Sequence, residues 1–557
     1  MQLGLIALWL VGAGAFLFTI GATLRLIFHR DGDAVERWDI GLVIALGVAC
    51  LWASPSSVSE FRISPDSLEY VAGARSLVDS GRFVLPGELI PRYPPWFSAL
   101  WIAPSLVGHT HPGWSVIPVT LSALLALLCA YRLGTGLGGR WGGAMSALLL
   151  LMVPGFVFFS RQVLIDIPTT ALFLAGALVA ARAAANRNYG WGLPLLGGAL
   201  VGWAILLRPT GGVMALPLAV VFIASGCHQL RSLICLGVPI VGAVLLGAGY
   251  NYFTFGDAAR SGYNYWCGIP YDFFSLTFGG RFIAQNFRPT FVDSGLGPLI
   301  IFALGGWFFL RRSGVGTPSA ARIYCRYVVL LGIPLVVFYL LYFFPAVRFI
   351  VPVSALVAVL LGGVIGVALE RRGAAAGVRR GGAILALILV VGFRVIVPEL
   401  PPVKGEAARR IAAHTPSGAI VVSGIDPVYL GFMVGMAREY LPISRRVEYA
   451  SKMITERRLE LDPAGIEPRC DNPDPRVLAH GGRWVVPRVA LGDLEYVAAA
   501  LNGGRPVFLE ATRIRDGELA EFKGRFVLIE RAPRLYEVRL RAAASEISPS
   551  HAARDDT

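Results

Sequence analysis

Apolar runs of bilayer length recur through roughly the first 400 residues of this 557-residue chain, and they leave it few folds to choose from. About 20 apolar residues cross a hydrocarbon core as a helix, with a range of roughly 17–25, because lipid offers unpaired backbone groups no partner. On that ruler, twelve spans are predicted near 3–28, 39–54, 114–134, 141–160, 166–185, 191–207, 209–225, 232–254, 295–311, 327–344, 347–369 and 381–398. The run at 39–54 is short, and the pair across 191–225 is broken at Arg208-Pro209. Hydrophobic residues make up 55% of the chain and charged residues only 15%. Soluble domains carry about 25% charged residues, so the expected fold class is a polytopic α-helical membrane protein. The first run does not read as a secretory signal, since it lacks a basic start and Arg25 and Arg30 come at its end.

The net charge of +14 raises nucleic acid as a partner, but the arginines form neither a stripe nor a basic tail. They sit in short loops between apolar runs, the pattern that orients a protein in a membrane. Nucleic acid is therefore excluded as a partner, and membrane lipid is expected as one. Alternating from an outside N-terminus puts loops 29–38, 135–140, 186–190, 226–231, 312–326 and 370–380 in the cytoplasm, and these loops with their flanks hold most of the loop arginines. The acidic loop 55–113, the loop 255–294 and everything after 398 then lie on the opposite side. Cysteines add little: Cys129, Cys227 and Cys235 fall in or beside spans, no pair has metal-ligand spacing, and a bridge between Cys267 and Cys470 stays open.

After Pro401-Pro402 charge rises and β-rich runs appear at Ala419–Ser423, Arg505–Leu509, Arg525–Glu530 and Tyr536–Leu540, with helical candidates at 404–414 and 492–502. A segment of that size can bury its own core, so 399–544 is expected to form an extracytoplasmic α/β domain, followed by a disordered polar tail at 545–557. No internal repeat is evident, which counts against inverted-repeat transporters.

Within the membrane region, four places put charge at the outer boundary. Asp66, Glu69 and Tyr70 head the acidic loop, and Arg92-Tyr93-Pro94-Pro95-Trp96 closes it. Asp166 opens a span in Asp166-Ile167-Pro168, and Arg208 and Arg348 stand at span boundaries in Arg208-Pro209-Thr210-Gly211 and Val347-Arg348-Phe349. Each has a plainer reading. Asp66 and Asp166 suit helix N-caps, Arg208 and Arg348 suit snorkelling to headgroups, and Arg92 suits nonspecific contact with lipid phosphate. An arginine at mid-bilayer costs about 2.5–3.5 kcal/mol, so Arg208 is expected at a boundary or in an ion pair. Acids and arginines from distant segments nevertheless arrive at one face, and a site that holds an anionic lipid phosphate while activating a hydroxyl needs both.

The run D-x-x-E-Y-x-x-x-A-x-x-L-x-x-x-G from Asp66, followed by Arg92-Tyr93-Pro94-Pro95 and a Trp, resembles the first extracytoplasmic loop of the GT-C glycosyltransferases. The protein O-mannosyltransferases and the bacterial aminoarabinose transferases are the nearest in pattern. Asp166-Ile167-Pro168, Arg208 to Gly211 and Arg348 to Pro352 are similar to later motifs of that superfamily, so the resemblance covers about 50–370. Two departures stand out: the second acid is Glu69 rather than the neighbour of Asp66, and Arg208 replaces a lysine, whose hydrogen-bonding geometry differs.

The resemblance implies a GT-C-like membrane catalytic domain at 39–398, with residues 1–38 as an added span and cytoplasmic loop. It implies an inverting transferase in a bacterial inner membrane, moving a hexose or pentose from a polyprenyl-phosphate donor to a hydroxyl of a glycan, lipid or protein acceptor. Asp66 and Glu69 are then the catalytic candidates, Arg208, Arg348 and Arg92 the donor-phosphate ligands, and Asp166, Tyr70 and Tyr93 the substrate-orienting residues. No organic cofactor or metal-ligand residue is implied, and a divalent metal is left open. A flippase of lipid-linked saccharides and a non-catalytic envelope-assembly scaffold are the alternatives. The first needs neither the long acidic loop nor an outer domain, and the second does not need paired arginines.

The arginine asymmetry makes the topology testable. Ala375→Cys and Ala520→Cys, in a background without reactive native thiols, should label from opposite sides of the membrane with an impermeant reagent; labelling of both from outside would overturn the span alternation.

Overall fold

The computed structural model describes residues 2–28, 65–86, 91–109, 112–186, 189–225, 229–259, 261–262, 278–312, 319–342, 347–371, 403–425, 427–442, 493–512 and 516–541, with a few isolated positions besides. Most of the expected span at 39–54, the whole of 381–398, Cys267, Cys470 and the tail at 545–557 lie outside the described residues. The membrane region comprises α1 (Gln2–Phe28), a loop helix α2 (Pro65–Ser80), α3 (Ile117–Met152), α4 (Asp166–Ala185), α5 (Gly192–Leu207), α6 (Ala215–Ser225), α7 (Gln229–Phe255), α8 (Leu296–Arg312), α9 (Ser319–Leu341) and α10 (Val351–Arg371). By length and composition six described helices are able to cross a bilayer, or seven if the bent pair ending in α8 is one span. The chain is thus an integral membrane protein, and the described residues account for six or seven of the twelve expected spans. At 16 and 11 residues, α5 and α6 fall short of the ruler, and α3 reads as one long apolar stretch.

That stretch is a hairpin. Gly138 and Gly139 leave helical geometry, and Gly139 takes φ 66°, a conformation only glycine adopts without strain. A Cβ on Gly134 would overlap the Gly142 carbonyl and the Ser146 side chain, which a straight helix would hold about 12 Å away or more. The second arm ends at Met152, well short of the expected boundary at 160, because Pro154 and a left-handed Gly155 stop it. Both arms pack on α10, where Gly362, Gly363 and Gly366 let backbones meet and Ser146 donates to the Val359 carbonyl at 3.0 Å.

The first span packs on the bundle: Trp203 donates to Thr19 at 3.2 Å, and Phe16 packs on both Trp101 and Trp203.

The C-terminal region holds α11 (Val403–His414), β1 (Ile420–Ser423), α12 (Pro427–Val434), β2 (Glu439–Pro442), α13 (Asp493–Asn502), β3 (Val507–Glu510), α14 (Asp516–Arg525), β4 (Phe526–Ala532) and β5 (Leu535–Leu540). The sheet order is β2-β1-β3-β5-β4, with β2, β1 and β3 parallel and β5 and β4 antiparallel. α13 and α14 cover one face. α11 and α12 cover the other, and that layer continues into the membrane region: Leu68 and Ala72 of α2, with Leu85, share a core with Ala407, Ile411, Tyr429 and Leu430. The carboxyl ends of β1 and β3 form the switch point of the sheet, where such folds often bind ligands. Here the buried Glu510 takes that place, held by Arg410 at 3.1 Å and the Thr512 amide at 3.2 Å.

The glycine seam has a direct test. A side chain at 366 would meet the backbones of Gly138 and Gly142, which no rotamer relieves. Overpacking of this kind costs about 1–3 kcal/mol or more, so Gly366→Val should lower the apparent melting temperature in detergent by roughly 2–10 °C. Gly237→Val, which meets nothing, should leave it unchanged.

Candidate active site

Local chain chemistry delivers four charged residues to one end of the bundle. Pro65 starts α2, a position where its missing N–H costs nothing, and sets Asp66 in the first turn. Asp166 is likewise in the first turn of its helix, α4, with Pro168 two residues on. Both carboxylates therefore sit at positive helix ends, which favour them. Arg208 follows α5 with extended backbone (φ −155°, ψ 124°), because Pro209 disfavours helical geometry in the residue before it. Arg348 lies in a 3-10 turn, Val347–Phe349, ahead of α10.

These residues pair. Asp66 accepts at Oδ1 from Arg92 Nη2 at 2.9 Å and at Oδ2 from Arg348 Nη2. Asp166 accepts at Oδ1 from Arg208 Nη2 at 2.8 Å, while its Oδ2, though buried, has no partner among the described residues. Asp166 is fully buried, so the Arg208 pair is a desolvated one whose breakage is costly. The helix-capping reading of both acids is not what forms: α4 has no side-chain cap, and both Asp66 oxygens go to guanidiniums. Nor do the arginines snorkel; each turns inward onto a carboxylate.

A supporting layer stands beside the pairs. Glu69, 3% exposed, accepts from the Arg92 backbone amide at 3.0 Å and lies 2.9 Å from Arg92 Nη2. Arg92 also donates to the Tyr93 hydroxyl at 2.8 Å, and Tyr93 stacks on Tyr70 with centroids 4.7 Å apart. Glu69, expected as a second catalytic acid, holds Arg92, and Arg92, expected on the donor phosphate, bridges Asp66 and Glu69.

Three residues at the site escaped the sequence reading. Phe349 lies under both the Arg208 and Arg348 guanidiniums, Tyr339 stacks on Phe349, and Thr210 hydrogen-bonds the Tyr339 hydroxyl at 3.1 Å. Thr210 and Phe349 adjoin residues singled out above, which was their available signal; Tyr339, inside an apolar span, carried none.

Burial alone would push the Asp66 carboxyl up, but the guanidiniums of Arg348 and Arg92 outweigh it, with help from the Tyr93 hydroxyl, and bring it down to about 2. Asp66 is therefore ionised throughout the physiological range. Among the described residues no group of three or more His, Cys, Asp and Glu is placed to hold a metal. Asp66 and Asp166 face guanidiniums, a donor set that suits an anion rather than a divalent cation.

Residues 91–248 match the family model described as dolichyl-phosphate-mannose-protein mannosyltransferase, a stretch that contains Arg92, Asp166 and Arg208. Among solved structures, ArnT from Cupriavidus metallidurans bound to undecaprenyl phosphate is similar with a TM-score of 0.58 at 16% identity, covering 91% of this chain and 98% of that one. Its apo state gives 0.59 at 15% identity over the same shares. The Archaeoglobus fulgidus oligosaccharyltransferase is a more distant match, with a TM-score of 0.46 at 13% identity over 72% and 62%. No curated protein matches the sequence. The fold is that of the GT-C glycosyltransferases, as the loop motifs implied.

A carboxyl with a depressed pKa stabilises the folded state above its unfolded value, near 3.8, and that contribution is lost as pH falls through about 2. Its size at neutral pH is about 2 kcal/mol. The melting-temperature gap between wild type and Asp66→Asn should therefore hold steady from about pH 8 to pH 5 and narrow below about pH 4. A gap that narrows near pH 6 would show a carboxyl not clamped by these arginines.

Proposed function

We propose that this protein is an inverting glycosyltransferase that moves a sugar from a polyprenyl-phosphate donor to an acceptor hydroxyl on the extracytoplasmic face. The observation that carries the reading is the pair of ion pairs, Asp66–Arg348 and Asp166–Arg208, set together where α2, α4, α5 and α10 meet. The family description and the undecaprenyl phosphate bound by ArnT support a lipid-phosphate donor. A flippase or a scaffold has no need of a carboxylate held next to an anion-binding pair, and no observation favours either.

In this mechanism the donor phosphate is drawn to Arg208 and Arg348, where negative charge develops as the bond to the anomeric carbon breaks. One guanidinium contact at about 4 Å and an effective dielectric near 20 is worth roughly 4 kcal/mol before desolvation. As the phosphate takes part of Arg348, Asp66 loses an opposing charge and its basicity rises toward the working pH, as a general base requires. Asp66 then accepts the proton of the attacking hydroxyl. The free Oδ2 of Asp166 is available to a sugar hydroxyl. Glu69, Arg92, Tyr93 and Tyr70 hold Asp66 in place. The sugar is a hexose or pentose, the acceptor a glycan, lipid or protein, and the setting a bacterial inner membrane.

Asp66→Asn keeps the shape of the side chain and removes the base, so turnover at saturating donor should fall by about 10²–10⁴-fold in protein that remains folded. Arg208→Lys should chiefly raise the donor concentration required, because the charge survives but the forked donors do not. The assay is consumption of radiolabelled polyprenyl-phosphate sugars by purified protein. Near-normal turnover of Asp66→Asn would remove the base from Asp66, and failure to consume any such donor would sink the reading.

A further inference from the structure

We propose that Phe349 is a positioning residue for the donor phosphate: its ring holds the guanidiniums of Arg208 and Arg348 side by side as one anion clamp. The inference rests on the donor-phosphate reading above and deepens it. Arg208 comes from the break after α5 and Arg348 from the turn before α10, so no shared backbone element fixes their spacing. Two guanidiniums also repel one another, and a clamp needs something that attracts both.

Phe349 meets that need. Its ring lies 4.7 Å from the Arg208 guanidinium carbon and 5.2 Å from that of Arg348. The negative face of an aromatic ring attracts cations at this range, guanidinium most readily because its own face is flat and weakly hydrated. A guanidinium held by its face keeps its N–H groups, which lie in its plane, for carboxylate or phosphate. Each arginine here gives one edge to a carboxylate, Asp166 or Asp66. The ring is itself fixed, because Tyr339 stacks on it at 4.9 Å with planes 21° apart. The Tyr339 hydroxyl in turn accepts from Arg208 Nη1 at 3.4 Å and shares a hydrogen bond with Thr210. One ring thus sits at the centre of both arginines, a second aromatic and the segment that follows Arg208.

The test separates the ring's charge distribution from its bulk. Phe349→Leu keeps an apolar side chain but has no quadrupole, whereas Phe349→Tyr keeps the ring. Full-length protein in detergent is titrated with undecaprenyl phosphate. Phe349→Leu should raise Kd by about 5- to 30-fold, the loss of two modest cation–π contacts, and Phe349→Tyr should recover most of that affinity. In turnover the Leu variant should show a raised donor KM with kcat changed much less. Should Phe349→Leu fail to fold, Phe349→Met poses the same question with a flexible apolar side chain. A non-aromatic variant that binds as wild type does, or a Tyr variant as weak as the Leu one, overturns the role of Phe349 and leaves the function intact. Wild-type protein that does not bind undecaprenyl phosphate overturns the donor reading and the clamp together.

Discussion

Charge pairing at one end of a helical bundle is the interaction on which the rest of this structure depends. Six charged side chains take part, Asp66, Glu69 and Asp166 against Arg92, Arg208 and Arg348. Left unpaired, any one of them in this setting would cost several kcal/mol. The surrounding elements are shaped to prevent that. Pro209 breaks the α5–α6 run so that Arg208 faces Asp166, and the turn before α10 brings Arg348 to Asp66. The wider bundle needs the glycine seam between α3 and α10 so that the spans carrying these residues can close on one another.

α2 explains how the α/β domain is tied to the charged cluster. The helix is buried on two sides at once. Residues 66, 69 and 70 fall on the side toward the arginines, while Leu68 and Ala72 lie under α11 and α12 of the α/β domain. A helix with charged residues at its start and a low overall apolar content would not hold its place at a membrane surface by its own propensity. Packing on both sides fixes it. The α/β domain is thereby coupled to the geometry of Asp66 whatever else it contacts.

Much of this was legible in the sequence, and the legible part follows from two periodicities and a ruler. Bilayer length located α1, α4, α7, α9 and α10, and the four β-rich runs fall within two residues of β1, β3, β4 and β5. The ruler also located α5, which at 16 residues is shorter than the usual span and is mostly buried by protein. β2, at Glu439–Pro442, was missed because an edge strand ending in proline carries a weak β signal. At the site, Asp66, Asp166, Arg208 and Arg348 could be found because charge is rare in an apolar chain. Which pairs with which could not: pairing is a tertiary fact, and nothing local to Glu69 says that it takes the amide of Arg92. Phe349 and Tyr339 were hidden for the opposite reason, since one more aromatic in an apolar span carries no information.

The charge balance of the cluster bears on how a carboxylate as weakly basic as Asp66 could take a proton. With three acids and three arginines the cluster is neutral as it stands. A donor phosphate that enters on the proposed reading adds at least one negative charge with no new cation to match. The excess is relieved if one carboxylate becomes neutral, and proton uptake does that. Of the three acids, Glu69 is locked to Arg92 by a backbone and a side-chain contact, and Asp166 is paired with the arginine nearest to it in the desolvated interior. On that reading Asp166 and Asp66 each share an arginine with the anion, Arg208 and Arg348, but Asp166 is fully buried, whereas Asp66 is partly exposed and can meet an acceptor hydroxyl. On the proposed reading the donor competes for an arginine that suppresses the basicity of Asp66 in the resting protein. On that reading basicity rises only when there is a donor to attack, and the acceptor hydroxyl is not deprotonated without one.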